Sequence, residues 1–291
     1  MRTAALLLTT TLATSLGACG GDDVATPDAP TRPTVFGGAR PVELQVPRDF
    51  DPAKTYPLLI ILHGYGASGF LQQGYFKLND VADTGQLLVL APDGTTDASG
   101  KQFWNADPTC CDFGGADVDD VAYVGGLIDD VQAAWPVAQV ALLGHSNGAF
   151  MAYRMACERA DVIGAIAGLA GHATSLPCTP TRPVSVLHIH GTMDETVPYE
   201  SGTFNGVPSP GAVDSVAAWA TRNGCTGTPA TAGTKDLVTN LAGAETTVSV
   251  TGGCPADGAA DLWSVADGMH IPNLSAGFPT ELLGWLAAHP R

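Results

Sequence analysis

A glycine-flanked serine between a strand-like run and a helix-like run constrains the fold of this chain more than any other feature. Residues 140–148 read VALLGHSNG, and the next residues, AFMAYRM, are compatible with a helix. A strand that turns sharply into a helix holds the serine in a strained conformation with its Oγ exposed, and neighbours larger than glycine would collide there. The pentapeptide can occur by chance in a chain with 35 glycines. Its strand-turn-helix context favours a nucleophilic Ser146.

A serine nucleophile needs an imidazole base and a carboxylate that orients the base, because its hydroxyl is weakly nucleophilic at neutral pH. In hydrolases of the strand-turn-helix type the carboxylate and then the histidine follow the serine along the chain. Asp194 comes just after a β-branched, strand-like run, and Glu195 is the alternative acid. Of the two later histidines, His289 is close to the C-terminus, whereas His270 lies in a loop. The sequence therefore predicts a triad of Ser146, Asp194 and His270.

Two backbone N–H groups are predicted to bind the oxyanion that such chemistry creates. The apolar run 57–62 ends in HGYG, and the amide of Tyr65 in this loop is expected to act with the amide of Asn147, which follows the nucleophile. Trp104 and Ile271 are candidate residues of the substrate pocket. No cofactor is predicted.

The order of the predicted elements favours an α/β fold. Strands are expected at 41–46, 57–62, 87–90, 139–143, 163–169, 184–189, 246–251 and 260–265, and helices at 71–83, 117–134, 147–158, 211–222 and 279–288. Strands that alternate with helices predict a mostly parallel sheet with helices on both faces. A chain of 291 residues can bury one large core, so we expect a single catalytic domain over residues 36–291.

Residues 1–18 are predicted to be a lipoprotein signal peptide. Arg2 and the apolar run after it are typical of an export signal. Leu16-Gly17-Ala18-Cys19 resembles a bacterial lipobox, which predicts lipid attachment to Cys19. Residues 19–35, acidic and proline-rich, are predicted to form a flexible tether. The expected location is the cell envelope (the outer membrane in a Gram-negative host). An ordinary cleavage site would instead give an extracellular protein.

The cysteine count suits an oxidising compartment. Without Cys19, six of the seven cysteines remain, an even number that indicates disulfide bonds. The predicted topology favours the pairs Cys157–Cys178, Cys225–Cys254 and Cys110–Cys111. The two adjacent cysteines have an alternative, which is bonding to a cysteine assigned elsewhere. No histidine lies at zinc-ligand spacing from them, so no metal site is predicted.

The charge of the chain restricts its partners. With 13 basic residues and a formal net charge of −16, the chain is not expected to bind nucleic acid, whereas a neutral ester meets no repulsion. We expect a monomer that contacts the membrane only through its lipid anchor.

Several segments resemble the α/β-hydrolase superfamily and, within it, the secreted esterase group of polyhydroxybutyrate depolymerases, the mycobacterial lipoprotein LpqC and feruloyl esterases. The matching segments are 62–66, 91–94, 103–106, 110–111, 119–121, 144–148, 188–194 and 219–225. The resemblance implies the α/β-hydrolase fold and an esterase that works through an acyl-enzyme. The histidine motif, MHIP at 269–272, departs from the GGHTWP form common among the depolymerases.

Three functions are compatible with this sequence. The first is a serine carboxylic ester hydrolase that acts on hydroxyalkanoate oligomers or on aryl or acetyl esters of polysaccharides. The second is a serine peptidase of the same fold, because the same triad cleaves amides. The third is a catalytically silent binding protein. The complete set of predicted catalytic residues favours an enzyme, and the resemblance favours the esterase.

Overall fold

A central eight-stranded sheet organises the structure, a computed structural model that describes residues 32–290. Its strands are β3 (Tyr56–Leu62), β4 (Leu88–Leu90), β7 (Val137–His145), β8 (Ile163–Leu169), β9 (Ser185–Gly191), β12 (Pro229–Lys235), β13 (Thr246–Thr251) and β14 (Ala260–Val265). They lie in the order β12-β13-β14-β9-β8-β7-β3-β4. The pairs from β14 to β4 are parallel, and β13 is antiparallel to both of its neighbours.

Helices and three small hairpins surround this sheet. The helices are α1 (Gly69–Tyr75), α2 (Val81–Thr84), α3 (Asp120–Ala134), α4 (Asn147–Glu158), α5 (Gly211–Arg222) and α6 (Phe278–Ala288). The two-stranded sheets pair β1 (Val35–Phe36) with β2 (Val42–Glu43), β5 (Thr95–Thr96) with β6 (Gln102–Phe103), and β10 (Gly202–Phe204) with β11 (Val207–Ser209).

The central strands are apolar at successive positions because helices cover both faces of the sheet. Alternate residues of β3 belong to two separate cores. Leu58 and Ile60 pack with residues of α3 and α4, whereas Leu59 and Ile61 pack with residues of α2 and α6. Burial on this scale stabilises the fold by about 25 cal/mol for each Å² of apolar surface removed from water. The predicted fold class, a mostly parallel sheet with helices on both faces of a single domain, is confirmed.

The predicted helix at 71–83 is wrong, because the structure has two shorter helices, α1 and α2. Between them Lys77 adopts a left-handed backbone conformation with φ of 57°. That conformation cannot continue a right-handed helix. The apolar residues that suggested one helix belong to two helices and the turn that joins them.

The end of the predicted tether also differs from expectation, because residues 32–35 pack on the domain. The indole Nε1 of Trp135 donates to the carbonyl of Pro33 at 2.7 Å, and the Arg32 guanidinium lies 5.6 Å from the centroid of the same ring. The rest of the predicted tether and Cys19 lie outside the described residues. Within the described part, no helix is both long enough and apolar enough to cross a bilayer.

Three disulfide bonds join the cysteines of the described residues in the predicted pairs: Cys110–Cys111, Cys157–Cys178 and Cys225–Cys254. The last two each tie a helix region to a loop, since Cys178 lies in the loop before β9 and Cys254 lies just after β13. Cys157 lies in α4, and Cys225 follows α5. Such bonds stabilise a fold mainly by restricting the unfolded chain.

Candidate active site

Ser146 occupies the turn between β7 and α4 in a conformation that few residues adopt. Its φ is 52° and its ψ is −121°, a combination strained for any residue with a side chain. The flanking glycines permit the turn. A Cβ at Gly144 would lie 2.1 Å from the carbonyl oxygen of Gly148, and a Cβ at Gly148 would lie 2.2 Å from that of Leu62. The Ser146 amide donates to the carbonyl of Leu169 in β8 at 2.8 Å.

The structure brings together the three residues of the predicted triad. The Nε2 atom of His270 lies 3.0 Å from Oγ of Ser146, and its Nδ1 lies 2.8 Å from Oδ2 of Asp194. The residues come from segments that follow three parallel strands, β7, β9 and β14, whose carboxyl ends meet at one edge of the sheet. Glu195, the alternative acid, is exposed.

Asp194 is held as a buried carboxylate by four donors. Its Oδ1 accepts from the backbone amides of Thr196 at 2.8 Å and Val197 at 2.9 Å. Its Oδ2 faces His270 and also His190, whose Nε2 lies 3.2 Å away. Burial of the carboxylate raises the pKa of Asp194, but the hydrogen bonds from His190, His270 and Val197 more than offset it, so the net pKa is well below the usual value.

His145, beside the nucleophile, supports the His270 loop. Its Nε2 lies 3.0 Å from the backbone carbonyl of His270, and the two rings are 5.1 Å apart. Burial and the neighbouring His270 charge lower the pKa of His145 to about 4. A neutral His145 therefore donates to this carbonyl, and it has no hydrogen bond to Ser146 Oγ.

The two amides predicted to bind an oxyanion lie beside Ser146. Among residues 32–290 the backbone N–H groups of Tyr65 and Asn147 have no protein acceptor. The neighbouring positions are held firmly, since Gly64 N–H donates to Oε1 of Gln72 at 3.0 Å and Gly66 N–H donates to the Gln102 carbonyl at 2.8 Å. Both unpaired amides are thus fixed and available as donors.

Trp104 does not line the pocket, contrary to the sequence-based expectation. It is fully buried and links the loop that begins at His63 to Asn147, the residue after Ser146. Its Nε1 donates to the carbonyl of His63 at 3.0 Å, its backbone amide donates to Oδ1 of Asn147 at 2.7 Å, and its carbonyl accepts from Nδ2 of Asn147 at 2.9 Å. Because aromatic rings suit both pockets and cores, the residue type alone did not distinguish the two.

Ile271 lies where a pocket residue was expected. Its side chain is 62% exposed and borders a cavity of about 400 Å³ that is also lined by Ser146 and His270. Leu71, Tyr75 and the Tyr65 loop complete its mostly apolar wall. The Tyr65 ring packs against Phe113, and its hydroxyl donates to Asp97 at 2.6 Å.

None of the described residues forms a group of three or more histidine, cysteine or acidic side chains that could hold a metal.

Comparisons with known proteins give matches over parts of the chain. The family described as Phospholipase/Carboxylesterase matches residues 117–205. Feruloyl esterase B of Piromyces equi is 31% identical over 202 residues, which cover 65% of this chain and 37% of that protein. The bifunctional acetylxylan esterase/xylanase XynS20E of Neocallimastix patriciarum is 27% identical over 166 residues, covering 56% of this chain and 23% of that protein. The chain thus spans less than half the length of these curated relatives.

A solved structure has the same fold over most of the chain. The acetyl xylan esterase from Aspergillus awamori superimposes with a TM-score of 0.59 at 14% identity, covering 84% of this chain and 94% of that one. At this identity the likeness concerns the fold alone.

The lowered pKa of Asp194 predicts a pH-dependent contribution to stability. A carboxyl whose pKa is lower in the folded than in the unfolded state stabilises the fold above the unfolded value, about 3.9, and this contribution is lost as the pH falls. Asp194→Asn should therefore be less stable than the wild type at pH 7, and the difference should shrink below about pH 4. Urea unfolding at pH 7, 5 and 3.5 measures it, and a difference that does not change with pH would contradict the assignment.

Proposed function

We propose that this chain, which belongs to the α/β-hydrolase superfamily, is a serine carboxylic ester hydrolase. The observation that carries the proposal is the continuous line from Ser146 Oγ through His270 to the buried carboxylate of Asp194, with distances of 3.0 and 2.8 Å. The esterase names of the partial relatives support the same reaction class.

In the proposed first step, His270 Nε2 takes the proton of Ser146 as Oγ attacks the ester carbonyl carbon. The carbonyl oxygen becomes an oxyanion that accepts hydrogen bonds from the Tyr65 and Asn147 amides. The same imidazole then gives its proton to the leaving alcohol oxygen, and the acyl group stays on Ser146. Asp194 keeps its negative charge and stabilises the imidazolium that forms between the two transfers.

In the second step, His270 removes a proton from a water molecule, and this water attacks the acyl-enzyme carbonyl. A second oxyanion forms at the same two amides. It collapses to a carboxylic acid and the free serine, whose Oγ recovers the proton from His270. The enzyme is thereby restored without a cofactor.

We infer that the acyl group is an aryl or small acyl group on a plant polysaccharide, with the acyl part in the cavity beside Ser146. The apolar wall of Leu71, Tyr75 and Ile271 suits a planar aromatic acid, because binding there removes the apolar surface of the ring from water. The named activities of the curated relatives, feruloyl esterase and acetylxylan esterase, favour these esters over hydroxyalkanoate oligomers.

Ser146→Ala tests the nucleophile. It should lower kcat on p-nitrophenyl acetate on the order of 10⁴- to 10⁶-fold without unfolding the protein, because the hydroxyl that forms the acyl-enzyme is removed. Ser249→Ala, in β13 and away from the triad, is the matched control and should retain wild-type turnover. Near-wild-type activity in a folded Ser146→Ala protein would refute the proposal. Activity lost equally in both variants would refute it too.

A substrate panel tests the acyl class. With methyl ferulate, p-nitrophenyl acetate, 3-hydroxybutyrate trimer and a peptide anilide as substrates, methyl ferulate should give the highest kcat/KM among the alkyl esters. Ile271→Ala should raise KM for the ferulate more than for the acetate, since it removes part of the apolar wall of the cavity beside Ser146. Preference for the trimer would transfer the assignment to polyester oligomers, and cleavage of the anilide as fast as the esters would favour the peptidase.

We also propose that the protein is exported and tethered through lipid on Cys19. The three disulfide bonds fit an oxidising compartment, and residues 16–19 have the lipobox pattern. Two or more acyl chains hold a protein on a membrane, whereas one gives marginal binding.

Cys19→Ser tests this tether in the native host. The wild type should partition into the detergent phase, and the variant should lose membrane attachment while keeping its intrinsic esterase activity, because the catalytic residues lie far along the chain. Wild-type protein recovered from the culture supernatant with an N-terminus other than residue 19 would show an untethered secreted protein.

A further inference from the structure

Behind the triad, a row of hydrogen-bonded polar side chains continues from Asp194 into the core. We call this row, which consists of His190, His188 and Tyr153, the file. His190 Nε2 lies 3.2 Å from Oδ2 of Asp194 and 2.9 Å from the carbonyl of Val197. His190 Nδ1 lies 3.0 Å from Nε2 of His188, and His188 Nδ1 lies 2.7 Å from the hydroxyl of Tyr153. The two histidines and the tyrosine are fully buried. Buried polar groups of this kind require partners, and here each has one.

The two acceptors at the His190 end of the file fix where its protons lie. A carbonyl and a carboxylate only accept, so Nε2 of His190 must carry its proton. In a neutral ring Nδ1 then accepts, and His188 Nε2–H is the donor. Burial holds the pKa of His188 well below its usual value, so its own Nδ1 accepts from the Tyr153 hydroxyl. Burial likewise raises the pKa of Tyr153, which keeps its proton.

The Tyr153–His188 and His188–His190 hydrogen bonds consequently run in one direction, toward His190, whose Nε2–H lies between the Val197 carbonyl at 2.9 Å and Oδ2 of Asp194 at 3.2 Å. The strand geometry explains the arrangement, since His188 and His190 are two residues apart in β9 and therefore lie on the same face of the sheet. Their rings are 5.2 Å apart. Tyr153 reaches them from α4, the helix that begins at the nucleophile.

We propose that His190 is a positioning residue of the active site, which holds Oδ2 of Asp194 in line with His270 by sharing its Nε2–H between this oxygen and the Val197 carbonyl, in an orientation set by His188 and Tyr153. The inference rests on the proposed function, because it assigns a role in the triad. Without His190 the carboxylate retains the Thr196 and Val197 amides on Oδ1, but Oδ2 keeps only its bond to His270. Rotation about the Cβ–Cγ bond then becomes easier, and fewer molecules have a correctly oriented base.

Four variants test the proposal through the separate values of kcat and KM on p-nitrophenyl acetate. His190→Phe fills a similar space and removes the donor. It should lower kcat about tenfold to a hundredfold, the equivalent of one hydrogen bond to a charged group, with KM changed by less than about twofold. His190→Gln, whose amide can donate from near the position of Nε2, should recover part of the kcat. Tyr153→Phe removes only a hydroxyl and should lower kcat by a smaller factor in the same direction.

His172→Phe is the matched control. His172 is also fully buried, but none of its hydrogen bonds is with Ser146, His270 or Asp194, so its loss should leave kcat unchanged. A wild-type kcat in folded His190→Phe would overturn the proposal, as would an equal loss in the control. If His190→Phe does not fold, a wild-type kcat in folded Tyr153→Phe would overturn it.

The labelling rate of each variant with a fluorophosphonate separates this inference from the proposed function. If the wild type labels and Ser146→Ala does not, the serine is the nucleophile. Equal labelling rates for wild type and His190→Phe would then reject the positioning role of His190 and leave the proposed function intact. If the wild type does not label at all, the proposed function fails and the role of His190 fails with it.

Discussion

The left-handed backbone at Ser146 is the constraint on which the rest of the structure depends. Such a conformation costs on the order of 1–3 kcal/mol and persists only where the surroundings determine it. Here β7 is an interior strand between β8 and β3, and α4 packs with most of its residues buried. The missing side chains at Gly144 and Gly148 let the two elements approach closely. The serine hydroxyl is therefore held at the edge of the sheet where the segments after β9 and β14 bring Asp194 and His270.

Hydrogen bonds fix the residues on both sides of Ser146 by different means. On the oxyanion side, His63 accepts from the Gly94 amide at 2.8 Å and Trp104 donates to the His63 carbonyl, so buried side chains fix the loop that carries Tyr65. On the acid side, backbone amides and histidines surround Asp194. Donors that are fixed before charge develops need no reorganisation during the reaction, which is why this arrangement suits acyl transfer.

Much of this fold and site could be predicted from sequence because local signals and global topology agree. The strand at 163–169 and the helix at 147–158 have the predicted bounds, since both are apolar and are bounded by turns. Asp194 and His270 could be predicted because each follows a strand. In contrast, β12 was not predicted. Its sequence, PATAGTK, is small, polar and mostly exposed, and such an edge strand is specified by its partner β13 more than by its own residues.

Contacts between distant residues account for what sequence reasoning missed. The burial of Trp104 depends on its bonds to His63 and Asn147, which only the folded loop reveals. The alternation of His188 and His190 is visible in sequence, but their alignment with Asp194 and with Tyr153 depends on how the chain turns after β9 and on how α4 packs. The split between α1 and α2 likewise depends on one backbone angle at Lys77.

Acid trapping of an acyl-enzyme shows whether Ser146 is the nucleophile. The protein is mixed with p-nitrophenyl acetate, quenched in acid within milliseconds and digested, and the peptides are analysed by mass spectrometry. If Ser146 forms the acyl-enzyme, the peptide that contains Ser146 gains one acetyl group. A burst of p-nitrophenol equal to the enzyme concentration accompanies it. An acetyl group on another residue, or steady turnover without any acetylated peptide and without a burst, would contradict this assignment.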